Sequence, residues 1–256
     1  MANVGKTGIV RYEETFAVDT IISGTLGTNI AVPANGIAWL SCADTSDTSF
    51  VRAMSATKGL HIAGSLAATD DNKIELTGDQ LMFYGQTGFN AIDVLLQADT
   101  ASSLAFNFGL NSTVDPNYAG GTNLIVSLAT ATWYSTGSTF CGLVKDFDAT
   151  NDEVHCFWVD DDVDTTESLA NLRMQGASFV ANKWAYMRVE MQDRGSGSGV
   201  RATFHYEQDG KTFEKVFNTS VDRDAGLCWY LGIQNRAAIA RGVYVKLPSW
   251  EQSISD

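Results

Sequence analysis

The sequence predicts an all-β fold, an antiparallel sandwich or barrel, and three observations predict it. Along WAYMRVEMQ (184–192), Ala185, Met187, Val189 and Met191 alternate with Tyr186, Arg188, Glu190 and Gln192, a period of two with one apolar face. Asp209-Gly210 joins two further alternating runs, and both residue types tolerate the positive φ of a tight hairpin turn. Short apolar runs recur along the chain, separated by Thr, Ser, Asp and 23 glycines with only 3 prolines, the spacing of many short strands.

Taken in order, the apolar and β-branched runs bounded by turn residues predict strands over 14–18 (ETFAV), 50–56, 59–65, 74–84, 91–99, 103–111, 139–147 and 153–161. After the 184–192 strand, Val200, Ala202, Phe204 and Tyr206 alternate with Arg201, Thr203, His205 and Glu207, and Phe213 and Phe217 share one face beyond the Asp-Gly turn. The last strands are predicted over 226–234 and 242–252. TESLANLRMQ (166–175) and QNRAAIARG (234–242) each have room for a short helical turn, and the first reads equally as a strand. Gly195-Ser-Gly-Ser-Gly199 looks flexible but is too short for an interdomain linker.

The chain has 256 residues, enough for folding to bury roughly 73% of its extended surface without a disulfide or metal staple. It carries 17 Lys+Arg against 30 Asp+Glu, a net charge of -13. Without a basic face or run it has no means to neutralise phosphates, which excludes nucleic acid and a bare anionic membrane as partners. Cys42, Cys141, Cys156 and Cys228 form no CxxC pair and fit no zinc spacing, so they read as small buried hydrophobes of a protein made in a reducing cytoplasm. MANVGKTGIVRYEETF has no apolar signal core, and no run is long enough for a spanning helix.

The order of motifs resembles the concanavalin A-like, laminin-G-like jelly-roll sandwiches of tailed-phage virion proteins. The residues that carry it are Tyr12 and Phe16, the DVLLQ strand, the stretch Gly109 to Pro116, the aromatic strand Cys156 to Asp162, NKWAYMRVE (182–190), the hairpin Phe204 to Lys211, and Leu227–Ile233 with Val243–Leu247 as a paired terminal set. The resemblance implies two antiparallel sheets packed face to face, with neighbouring terminal strands, in one domain over 12–256. It implies a non-enzymatic virion protein, a head decoration (cement) protein homo-oligomeric on the outer major capsid protein lattice. An N-terminal arm, 1–11, would dock there through Lys6 and Arg11, since it carries no acid. The alternative is a carbohydrate-binding module of a tail fibre or tailspike, and a third class is a glycan-cleaving enzyme.

The run CFWVDDDVDTTE (156–167) concentrates Asp160, Asp161, Asp162, Asp164 and Glu167. Calcium takes six to eight oxygens, and members of the wider fold hold it at a sheet edge, but the D-x-D-x-D-G spacing is missing. The reading is a strand running out of the core into a solvated turn, with a calcium site as the alternative. Glycosidases of the resembled fold share an E-x-D-x-x-E strand, which would set two carboxylates about 5 Å apart; the chain has none, and Glu13-Glu14 and Asp70-Asp71 are merely adjacent. His61, His155 and His205 lie in separate strand runs, with no GxSxG or HExxH. No catalytic, cofactor-binding or metal-ligating residue is therefore assigned, and no cofactor is expected. Trp133, Tyr134, Trp158 and Trp250 are candidate platforms for stacking on sugar rings, set against the ordinary core role of tryptophan in a sandwich.

Overall fold

The computed structural model describes residues 8–15, 21–25, 39–44, 46–78, 82–112, 124–129, 132–135 and 139–254. Its strands, in chain order, are β1 (Gly8–Glu13), β2 (Ile21–Thr25), β3 (Trp39–Ala43), β4 (Thr48–Ser55), β5 (Gly59–Leu66), β6 (Lys73–Gly78), β7 (Phe89–Ala98), β8 (Leu104–Asn111), β9 (Val126–Ala129), β10 (Thr132–Ser135), β11 (Phe140–Lys145), β12 (His155–Asp160), β13 (Val163–Asp164), β14 (Ala185–Asp193), β15 (Val200–Gln208), β16 (Lys211–Asn218), β17 (Cys228–Asn235) and β18 (Arg241–Ile254). One sheet runs β16-β15-β14-β7-β18-β5-β4, with β1 also paired to β18. The other runs β13-β12-β11-β8-β17-β6-β3-β2, and β9 and β10 form a separate hairpin. Pairing is antiparallel throughout except between β2 and β3. The all-β, two-sheet expectation holds.

The two sheets share one core. Residues directly opposite each other on neighbouring strands share a face, which sorts the second sheet into an inner set including Trp39, Leu76, Trp229, Phe108, Leu143 and Trp158 and an outer set including Tyr230, Asn107, Gly109, Gly142 and Phe157. Inner rings meet across and along the sheets: Trp39 packs edge-on to Trp229 at 4.9 Å and lies 6.4 Å from Trp250, and Trp158 meets Phe217 at 5.2 Å. Asp209 (φ 54) and Gly210 (φ 73) make the tight turn between β15 and β16, closed by the pair Gln208 and Lys211.

Several boundaries differ from expectation. The first strand covers 8–13 rather than 14–18, of which 16–18 lie outside the described residues, as do Phe16 and the 113–116 end of the Gly109–Pro116 motif. β1 pairs with the end of β18, from Gly8 with Ile254 to Glu13 with Ser249, so the terminal strands are neighbours. Residues 8–11 of the arm are thus strand, and residues 1–7 lie outside the described residues. The pairing of Leu227–Ile233 with Val243–Leu247 is corrected: β17 and β18 belong to different sheets, because the chain crosses the sandwich over 236–240. That crossing contains no helix, and 166–175 contributes one helical turn, α1 (Leu169–Leu172), whose first amides are capped by Ser168. β2, β3, β9, β10 and the two-residue β13 have no counterpart among the predicted strands.

At the end of the sandwich where β8 begins, Arg236 ties three loops together. Its guanidinium forks onto Asp146 at 2.9 and 2.6 Å and reaches Asp71 at 2.9 Å, and Asp146 also accepts the Leu128 amide at 3.0 Å. The Arg236 and Asp146 side chains are 6% and 4% exposed. Removing one partner strands a buried charge, which costs about 3–5 kcal/mol. Arg236→Met is expected to lower unfolding free energy by that amount in urea denaturation; a loss below about 1 kcal/mol, the scale of a surface pair, would show that the fork holds nothing.

Candidate functional site

The acidic run is a turn. β12 ends at Asp160, which pairs with Val163, and Asp161 (φ 47) and Asp162 (φ 64) are the two left-handed residues between them. Aspartate visits this region more readily than most residues, which explains the Asp-Asp pair. Asp161 and Asp162 are exposed, while Asp160 and Asp164 are half-buried, so the strand does run out into a solvated turn. Glu167 is exposed, its carboxylate accepting a 3.0 Å bond from Asn171 Nδ2. Among the described residues no group of three His, Cys, Asp or Glu side chains is arranged to hold a metal ion.

The turn forms one wall of an open, polar cleft of about 580 Å³. Asp160 and Asp161 face Gly197 and Gly199 of the β14–β15 loop and Ser220, Asp222 and Arg223 of the segment after β16. Asp160 Oδ1 accepts the Asp222 amide at 2.8 Å, which staples the turn to that segment. The GSGSG stretch is a compact turn rather than a linker. Gly195, Gly197 and Gly199 all have positive φ, and a Cβ on Gly199 would overlap the Thr219 carbonyl. Burial, with the nearby charges of Asp222 and Asp161, holds the Asp160 carboxyl above its ordinary value against the pull of the Asp222 amide. The cleft's cation is already engaged: Arg223 grips Asp193 at 2.8 and 2.5 Å and draws that carboxyl down. Ser220, Asp222 and Arg223 carry no local sequence signal, since they join the cleft from far along the chain, Asp222 bonding Asp160 across 62 residues.

The aromatic candidates separate. Trp158 (4% exposed) and Trp250 (7%) are core residues, so neither is a sugar platform; they sit on the inward positions of their strands. Trp133 is half-buried, with its ring on Phe157 at 4.5 Å and His155 at 5.4 Å. Tyr134, on the other face of β10, is 54% exposed.

The candidate residues described do not come together as a catalytic set. His61 bonds the Gly59 carbonyl, His155 the Glu153 carbonyl, and His205 lies between Glu190 and Glu214; none contacts a hydroxyl or thiol nucleophile among the described residues. Glu13 is exposed and Glu14 buried, and Asp71 pairs with Arg236. All four cysteines are buried and none is in a disulfide among the described residues, with burial pushing the Cys141 and Cys228 thiols up to about 12.

No family model and no curated protein matches the sequence. Among solved structures, the chain is similar to a protein of unknown function from Shewanella oneidensis MR-1, with 12% identity and a TM-score of 0.57 over 99% of this chain and 90% of that one. It is also similar to peanut lectin solved with a nine-residue peptide, with 13% identity and a TM-score of 0.54 over 97% of this chain and all of that one. The fold is a concanavalin A-like, legume-lectin-like jelly roll.

Two measurements check this description. A calcium ion bound only to the native state would add about 2.7 kcal/mol at a hundredfold excess over Kd. The melting temperature is expected to be the same in EDTA and in millimolar calcium; a rise of several degrees would make the turn a structural calcium site. The second concerns His155, whose burial lowers its pKa from 6.5 to about 4. The unfolded chain takes up that proton first, so this contribution is complete above about pH 6.5 and is lost as pH falls to 4, about 3 kcal/mol in all. His155→Gln should remove that slope. If wild type and variant lose stability in parallel between pH 7 and 4, the assignment fails.

Proposed function

We propose that the chain is a non-enzymatic carbohydrate-binding protein and that the cleft beside the acidic turn is its glycan site. The observation that carries this reading is the cleft itself. It is open, polar and roomy, and offers the acceptors of Asp160, Asp161 and Asp222, with the Thr139 and Ser220 hydroxyls, to the hydroxyl groups of a sugar. The lectin-type fold supports it only by analogy, since one fold serves many functions. The absence of an E-x-D-x-x-E strand, and histidines bound to carbonyls or carboxylates, support binding without hydrolysis. An open cleft that keeps most of its water binds a single sugar weakly, with Kd on the order of 1 mM.

The cement reading implied by the resemblance has less support. Arg11, one of the arm's two cations, bonds Glu251 at 2.5 Å and lies 3.5 Å from Asp93, so its charge is committed within the fold.

The test is a glycan array followed by calorimetry. Asp161→Asn keeps a residue that tolerates positive φ but removes the charge. It is expected to weaken glycan binding about tenfold or more, the value of a charge-assisted hydrogen bond, without changing the melting temperature. Capture of no glycan, or equal binding by wild type and variant, would remove the cleft as a glycan site. Saturable pelleting with undecorated capsid shells but not with free capsid subunits, without glycan capture, would put the cement reading first.

A further inference from the structure

We propose that a second pocket, at the start of β12, binds a neutral polyol the size of one sugar ring or cyclitol, independently of the cleft at the end of that strand. Asp160 and His155 are separated by the length of β12, about 17 Å, so the two sites share no wall.

The pocket encloses about 270 Å³, roughly the share of nine water molecules. Leu128, Ala149 and Leu169 supply apolar walls, and Asn151, His155 and Arg173 supply the polar groups. That mixture suits a ring with C–H faces and hydroxyl edges.

His155 is the deciding group. It is 2% exposed, and its ring is held by the edge-on contact with Trp133 and by a 2.9 Å bond between Nδ1 and the Glu153 carbonyl. A carbonyl only accepts, so Nδ1 carries the hydrogen and Nε2 keeps a bare lone pair. Among the described residues no hydrogen bond reaches Nε2, and the ring lines the pocket, so this lone pair is an acceptor that a ligand there can use. Burial keeps the ring neutral at pH 7.

Arg173 supplies the complementary group. Its Nε lies 3.3 Å from Glu153 Oε2 without a bonded geometry, and its terminal nitrogens meet no acceptor among the described residues. One wall therefore accepts and the other donates. A hydroxyl does both, so adjacent hydroxyls on one ring satisfy His155 and Arg173 together. A carboxylate or phosphate has no hydrogen for Nε2 and would set its charge against the lone pair, so the pocket rejects anions at neutral pH despite Arg173.

The probes are myo-inositol, methyl β-glucoside and glucuronate, titrated into the full chain with nitrogen-15-labelled histidine at pH 7. The unprotonated Nε2 resonance of His155 is expected to move with the first or second probe and to stay fixed with glucuronate, while His61 and His205 do not respond. His155→Phe keeps a ring against Trp133 but removes the acceptor, and should weaken binding of the responding probe about tenfold by calorimetry. Arg173→Gln should weaken it as well; if His155→Phe does not fold, this variant alone decides. Loss of cleft binding in Asp161→Asn with the His155 response intact would show two separate sites. No His155 response to either neutral probe, an equal response to glucuronate, or unchanged affinity in the folded variants would overturn the proposal.

Discussion

The second sheet is buried on both faces across β12, β11, β8, β17, β6 and β3, and most other features follow from that. Its inner face packs against the first sheet, while the β9–β10 hairpin lies over its outer face, held where Asn107 bonds both the amide and the carbonyl of Val126 at 2.7 and 2.9 Å. Space there is short. Gly109 and Gly142 stand opposite each other on β8 and β11, and a Cβ on Gly109 would come within 2.6 Å of the Gly142 Cα. Polar groups on the buried outer face have to find partners or lose solvation energy. Tyr230 donates to Glu75 at 2.7 Å, with the Lys73 ammonium 3.7 Å away, yet burial still raises the Glu75 carboxyl. A covered sheet of this kind presents no open face to a ligand, so the described pockets fall at the ends of β12, a strand near the sheet's edge.

The first sheet solves the opposite problem, since its outer face meets solvent. Arg188 stands at the centre of that face, bonding Glu190, Asp93 and Glu251 at 2.6, 3.0 and 2.9 Å, and Arg11 extends the network from β1. Arg223 and Arg236 are likewise paired with carboxylates. Because these guanidinium groups are committed internally in a chain of net charge -13, the field outside is negative. That favours neutral ligands at both proposed sites.

This difference between the sheets also explains what the sequence revealed. β14 and β15 have one wet face, so their alternation and the Asp209-Gly210 turn were readable. β8, β11 and β17 are buried at every residue, so their runs announce strands but not faces. Trp158 reads as a platform for that reason, since only the register shows that it points inward. β3 carries little strand signal because WLSCA is short and mixes Ser41 and Cys42 into an apolar run. The acidic turn was legible because the change from aromatic to acidic residues is local. The cleft was not, because its other walls come from distant loops, and His155 looked like one more isolated histidine until the fold placed Arg173 beside it.

The cleft's shape depends on backbone as much as on side chains. Asp161, Asp162, Gly195, Gly197 and Gly199 all hold positive φ in two turns that face each other. Few residue types adopt that conformation without strain, so each turn has few alternatives in its native geometry. The Asp160 bond to the Asp222 amide and the Arg223 fork on Asp193 then tie the segment after β16 to both turns. A ligand entering such a cleft has little backbone left to order, which removes one of the main costs of association. What limits affinity in the proposed glycan site is then the competition of water for the exposed carboxylates, and that is why the charge of Asp161, rather than the packing around it, is the quantity on which the proposed recognition turns.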